Sequence, residues 1–125
     1  MEKAAVFQWV NERFGTQPEY LWERSPGDAV LRNANTGKWY AIVMKVKRDR
    51  LGLPGGGSAE ILNVKCDPLL IGSLRREKGF LPAYHMNKES WVTILLDGGV
   101  PEEEIKNLIL LSYELTSVKK GRKRG

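Results

Sequence analysis

Cysteine and histidine are almost missing: the 125 residues contain one of each, Cys66 and His85. A single cysteine excludes an internal disulfide. One of each cannot close a zinc site, and no carboxylate pair stands near either at ligand spacing, so no metal and no cofactor are expected. Cys66 and His85 flank one predicted helix, and a nucleophilic pair is one reading of them. The other is that Cys66 ends a buried strand as a small apolar residue. Long apolar runs are missing as well, and none approaches the roughly 18 residues of a membrane span. Residues 1–6 show neither the apolar stretch nor the cleavage site of a signal peptide. The expectation is a cytoplasmic protein with no membrane partner. Residues 52–57 are glycine-rich but lack the Gly-Lys-Ser/Thr and the helix start of a phosphate-binding P-loop.

Net charge is also absent from most of the chain. The total is +5, yet Lys119, Lys120, Arg122, Lys123 and Arg124 lie beyond the last apolar periodicity. Residues 1–118 therefore balance, with 15 basic and 15 acidic side chains. Within them the charge is polarised. Residues 24–50 hold Arg24, Arg32, Lys38, Lys45, Lys47, Arg48 and Arg50 against Asp28 and Asp49. Residues 89–114 hold Lys106 against six carboxylates. One basic and one acidic region invite a test for an anionic partner.

What is present is a chain of length for one core, 42% apolar and 28% charged, as in ordinary globular proteins. Val6, Phe7, Val10 and Phe14 recur at helical spacing, and Gly15 can end that helix. Residues 16–27 contain two prolines and a glycine and read as loop, with Tyr20, Leu21 and Trp22 either pinning it to the core or forming an exposed aromatic contact. Residues 28–34 and 38–46 read as a hairpin joined by Asn35-Thr36-Gly37. The second of these strands is apolar on both faces, as a covered central strand is. Three successive glycines in residues 52–58 predict the loosest internal segment.

Residues 59–65 read as a strand with Leu62 and Val64 on one face and Ile61, Asn63 and Lys65 on the other. Asp67-Pro68 then opens a helix with an acidic cap and proline at its first position. Leu70, Ile71 and Leu74 form its buried side, and Gly79 is expected to close it. A further strand spans 90–96, with Trp91 expected to be buried. A final helix opens at Pro101, with Glu102, Glu103 and Glu104 favoured by its dipole. Ile105, Leu108, Ile109 and Leu115 are expected to face the core. The order helix, hairpin, strand, helix, strand, helix predicts an α+β domain, with helices on a mainly antiparallel sheet.

The stretch around which chemistry gathers is loop 79–90. His85, Asn87 and Lys88 supply donors, an acceptor and positive charge, enough to grip a phosphate or other anion. Lys65 ends a strand of the same sheet and offers a fourth group. The architectural alternative has Asn87 capping the turn and His85 bonding nearby backbone.

Several stretches resemble the MmcQ/YjbR-like family of small bacterial proteins. They are Gly37-Lys38-Trp39-Tyr40-Ala41, Ile61-Leu62-Asn63-Val64-Lys65-Cys66-Asp67-Pro68, and Gly79-Phe80-Leu81-Pro82-Ala83-Tyr84-His85-Met86-Asn87-Lys88 with Trp91. Leu95-Leu96-Asp97-Gly98, Pro101 and Ser112-Tyr113-Glu114-Leu115 resemble it too. The resemblance implies a compact α+β domain similar to the "double wing" fold, and a DNA-binding label that rests on fold analogy. It implies no catalytic residues. Many members have a histidine where this chain has Ser90.

The expectation drawn from these readings is one domain over residues 1–116, with a basic, disordered tail over 117–125. The expected function is non-enzymatic nucleic-acid binding, with DNA as partner. Its phosphate contacts would come from Arg32, Lys38, Lys45, Lys47, Arg48 and Arg50, and a second cluster from Lys65, His85, Asn87 and Lys88. Trp39, Tyr40 and Tyr84 lie between basic residues and could stack on bases, or be core. The alternative is a small-ligand or protein-binding module with an anion pocket around loop 81–88.

Overall fold

The computed structural model describes residues 1–118. Helix α1 (Lys3–Phe14) ends where the sequence predicts, at Gly15 with a left-handed φ of 73°. The sheet has five strands: β1 (Ala29–Arg32), β2 (Trp39–Lys47), β3 (Ser58–Lys65), β4 (Phe80–Pro82) and β5 (Trp91–Leu95). A short helix α2 (Pro68–Leu74) follows β3, and α3 (Glu102–Thr116) follows β5. The strand order is β1-β2-β3-β5-β4, and every neighbouring pair is antiparallel. The class is α+β, as the element order predicts.

Residues opposite one another in an antiparallel ladder share a face. Leu31, Ala41, Val43, Leu62, Val64, Val92, Ile94 and Phe80 form one face and make the main core with Val6 and Val10 of α1 and Ile105, Leu108 and Ile109 of α3. The other face carries a smaller cluster of Val46, Ala59, Ile61 and Leu95, partly covered by Leu51, Leu53, Leu81 and Tyr84. These come from two short segments, residues 51–53 and 81–84.

Helix α3 is tied to the sheet by polar as well as apolar contacts. Ser112 is fully buried; its Oγ donates to the Tyr40 carbonyl and accepts the Lys65 N–H. The hairpin turn caps the helix end, where the last carbonyls lack intrahelical partners. Asn33 Nδ2 donates to the Tyr113 carbonyl, Thr36 Oγ1 to that of Thr116, and Lys38 Nζ to that of Val118.

Four local expectations are corrected. Helix α2 stops at Leu74 with Arg75 as its cap, and Gly79 leads into β4, its carbonyl accepting the Leu95 N–H. A Cβ at Gly79 would overlap Val100 Cγ2, and its φ is 95°, so both space and backbone demand glycine there. Strand β4 was hidden because it is three residues long and ends in proline, which a sheet tolerates on an edge strand. Tyr20 and Leu21 do not pin their loop, being 55% and 48% exposed, and Leu115 is 41% exposed on the outer side of α3. Trp91 is half-buried and pairs across the ladder with Lys65. Of the tail, Ser117 and Val118 are described, with Ser117 capping α3; residues 119–125 lie outside the described residues.

Candidate functional site

A cleft of about 540 Å³ opens on the second face of the sheet. Ile42 and Met44 of β2 line its base. Trp39 joins them because of a bulge. Leu31 pairs with Ala41 but Arg32 pairs with Trp39, so Tyr40 is an extra residue in the ladder. A bulge re-aims the side chains beside it. Tyr40 turns into the main core, while Trp39, which alternation would set on the Ala41 face, borders the cleft. One wall comes from the loop before β1. There Trp22 meets the Trp39 ring edge-on, with centroids 6.1 Å apart at 86°, and Arg24 lies beside it. The opposite wall is Tyr84, His85 and Met86, and the 3₁₀ turn Arg48–Leu51 contributes Arg50.

The second wall is held from beneath. Asn63, fully buried on β3, donates through Nδ2 to the Tyr84 carbonyl at 3.0 Å. Thr93, its partner in the β3–β5 ladder, accepts the Tyr84 N–H at 2.9 Å and donates to Asn63 Oδ1. His85 follows with a φ of 58°, in the left-handed region that histidine enters more readily than most residues. Its ring stacks on Tyr84, with centroids 4.0 Å apart and 11° between the planes.

Asp28 is 5% exposed and borders the same cleft. Its Oδ1 accepts the Lys45 N–H at 2.9 Å. Arg24, Lys45, Lys47 and Arg50 line the cleft with this one carboxylate, so the cleft has a cationic rim. Two shallower depressions of about 320 Å³ each adjoin it. One shares Lys47, and the other shares Arg50, Tyr84 and His85 and adds Lys88.

The ten residues singled out by sequence are thus distributed unevenly. Lys45, Lys47, Arg50 and His85 come together on the cleft, and Lys88 stands in the adjoining depression. Strand alternation starts the Lys45 and Lys47 side chains off β2 on the face opposite Met44 and Val46, which makes them rim groups. Arg32 lies at the other end of the hairpin, bonded to Glu19 and to the Gly37 carbonyl. The Glu19 hydrogen bond raises the Arg32 pKa above its usual value. Lys38 Nζ donates to the Val118 carbonyl, just beyond α3. Arg48 closes the glycine loop, its Nε donating to the Pro54 carbonyl and its N–H to that of Gly57. Asn87 Oδ1 accepts the Glu89 N–H at 2.8 Å, the turn-capping geometry. Lys65 is half-buried opposite Trp91.

Sequence reasoning missed Arg24 and Asp28 as cleft residues and left Trp22 as either a core pin or an exposed aromatic contact; it lines the cleft. The signal available was the alternation of aromatic and charged residues in Trp22-Glu23-Arg24. A loop of prolines and glycine gives no periodicity to say where its side chains point. Cys66 belongs to the main core, and burial pushes its thiol pKa up, away from the reactive thiolate. His85 is exposed on the other face. Among the described residues no group of three or more His, Cys, Asp and Glu could hold a metal ion, and no helix is long and apolar enough to cross a membrane.

The family model YjbR matches residues 12–115. The Bacillus subtilis protein YyaQ is 46% identical over 111 residues, spanning 89% of this chain and 94% of that protein. The Escherichia coli protein YjbR is 35% identical over 54 residues, 42% of this chain and 46% of that protein. A crystal structure of a Pseudomonas syringae protein is similar with a TM-score of 0.90 and 38% identity, covering 93% of this chain and 99% of that one. A Deinococcus radiodurans crystal structure, described as domain DUF419, has a TM-score of 0.72 at 25% identity over 99% of this chain and 84% of that one.

Proposed function

The chain belongs to the YjbR family, and we propose that it is a non-enzymatic nucleic-acid-binding module that holds a single-stranded segment across the cleft. One observation carries this reading: three aromatic rings, from Trp22, Trp39 and Tyr84, share one open cleft with Arg24, Arg50 and His85. Aromatic faces that stack on bases, set beside cations that meet phosphates, are the working parts of single-strand binding. The adjoining depressions extend the cationic rim on both sides, toward Lys47 and toward Lys88. A polymer with a phosphate on each side of a base uses such a track; a free small molecule does not need it. In this reading no bond is made or broken, and the location is the cytoplasm. DNA binding by the broad hairpin face, expected from its run of basic residues, has less support. Arg32, Lys38 and Arg48 are each committed to an internal partner.

The test is fluorescence anisotropy with a labelled single-stranded oligonucleotide and the matching duplex, across a salt series. Binding should favour the single strand. Replacing Arg24 and Arg50 by glutamine should weaken it and flatten the log–log salt slope by roughly 1.4, at about 0.7 per phosphate contact. A chain ending at residue 118 should keep this binding, which separates the cleft from the charge of the tail. Equal or tighter duplex binding, or no binding at low salt, overturns the reading. The second reading is a small anionic ligand held by the cleft alone, and the concavity of the site favours it. It would show as binding of a mononucleotide with no gain from added nucleotides.

A further inference from the structure

Asp28 is the one acidic side chain bordering a cleft that is otherwise ringed by cations. Electrostatic steering of an anion does not need it, and its charge opposes that task. Its setting is specific. The side chain is 95% buried, and among the described residues its hydrogen bond is Oδ1 accepting the Lys45 N–H. Among the described residues no fully buried side-chain oxygen lacks a partner. Oδ2, which has none, therefore keeps some accessible surface, and Asp28 is a lining residue of the cleft. A carboxylate oxygen accepts and does not donate. It is held here by a backbone bond and by burial, so it has little freedom to turn away. A ligand seated between the aromatic walls meets a fixed acceptor on the border of an otherwise cationic site.

We propose that Asp28 makes the cleft select a base whose edge carries adjacent hydrogen-bond donors, guanine above the others. This rests on the single-strand reading of the same cleft. Guanine presents a ring N1–H and an exocyclic amino group side by side, and the two lone pairs of Oδ2 can accept from both. Cytosine and adenine present an amino group beside a ring acceptor, which a carboxylate meets less well. Thymine presents one N–H between two carbonyl oxygens, and both oxygens are repelled by the negative charge. A buried acceptor left without a donor is costly, so the wrong base loses more than one hydrogen bond. Stacking on Trp22, Trp39 or Tyr84 is indifferent to the base; Asp28 adds the discrimination that stacking lacks.

The experiment uses the full chain and a labelled oligothymidine whose central residue is thymine, adenine, cytosine, guanine or hypoxanthine. Hypoxanthine keeps N1–H and loses the amino group, so it isolates the second donor. The guanine oligonucleotide should bind roughly 10- to 150-fold more tightly than the all-thymine one, the range of a hydrogen bond to a charged group. Hypoxanthine should fall between them. Asp28→Asn keeps an oxygen for the Lys45 N–H and replaces the charged acceptor. It should erase the guanine preference from both sides, weakening guanine binding and tightening thymine binding as the repulsion is removed. Equal binding of all five oligonucleotides by the unaltered protein overturns the proposal on its own, whether or not the variant folds, and leaves the single-strand reading standing. A variant that loses affinity equally for all five also overturns it. No binding of any oligonucleotide overturns both.

Discussion

Asn63 and Thr93 face each other across β3 and β5 and between them hold both backbone polar groups of Tyr84. Neither side chain reaches solvent. They form a small buried polar network whose members are satisfied by one another and by a loop, and such networks fix one geometry at the expense of others. This one fixes the wall of the cleft.

Asn63→Ala should therefore destabilise by about 1–3 kcal/mol for each group left without a partner, the Tyr84 carbonyl first. Thr93→Val should cost a similar amount through the Tyr84 N–H. Because the two share a network, the double variant should cost less than the sum, with a coupling of about 0.5–3 kcal/mol. Urea denaturation of the four proteins measures this. Strict additivity would mean that the two side chains act independently.

Gly79→Ala meets two obstacles at once. The positive φ costs about 1–2 kcal/mol for a residue with a Cβ, and the overlap with Val100 costs a further 1–3 kcal/mol or so. Adding Val100→Ala should recover the overlap component and leave the backbone component. If Val100→Ala recovers nothing in thermal or urea unfolding, the contact is not what excludes a side chain at residue 79.

Tyr40 sets an alkaline limit. Burial pushes its phenol from 10.0 up to about 12, although the hydrogen bond to Thr16 Oγ1 works the other way. The folded value lies above the unfolded one, so the unfolded chain loses its proton first. Stability from this group is complete below about pH 10 and falls as pH rises toward 12. Tyr40→Phe should cost about 1 kcal/mol near neutrality through the lost hydrogen bond. It should also flatten the alkaline decline relative to the unaltered protein. Parallel curves of urea midpoint against pH would show that Tyr40 titrates as it does in the unfolded chain.

Arg48 tests which cations belong to the cleft. It ties residues 54 and 57 to the base of the glycine loop. Arg48→Gln should lower backbone amide order parameters at Gly55 and Gly56, already expected to be the lowest among the internal residues. It should leave oligonucleotide affinity within about twofold, because a surface group that makes no phosphate contact adds nothing to the salt slope. A slope change like that of Arg50→Gln would place Arg48 in the binding surface after all.

Most of the architecture was legible in the sequence because it rests on local patterns. Helical spacing from Val6 to Phe14, the Asp67-Pro68 start of α2 and the glutamates after Pro101 each carry their own physics within a few residues. The face assignment of β3, with Asn63 beside Ile61, followed from alternation alone. Strand β4 was not legible, since three residues ending in proline become a strand only when β5 lies alongside to bond them.

The cleft divides along the same line. Residue types alone determined that this chain carries aromatic and basic side chains in its first half, a lone histidine in a polar loop and no disulfide. Which of those cations are free was decided by tertiary contacts. Arg32 meets Glu19, Lys38 meets the end of α3, and Arg48 meets its own loop, while Arg50 and Arg24 are left on the cleft. The bulge at Tyr40 decided that Trp39 turns outward. An acidic residue nine positions ahead of the hairpin turn's glycine reads as a loop residue until folding buries it on the border of that cleft. Local patterns act over a turn of helix or a pair of strand residues, whereas a site is assembled from segments some 20 to 60 residues apart, and only packing sets how their side chains converge.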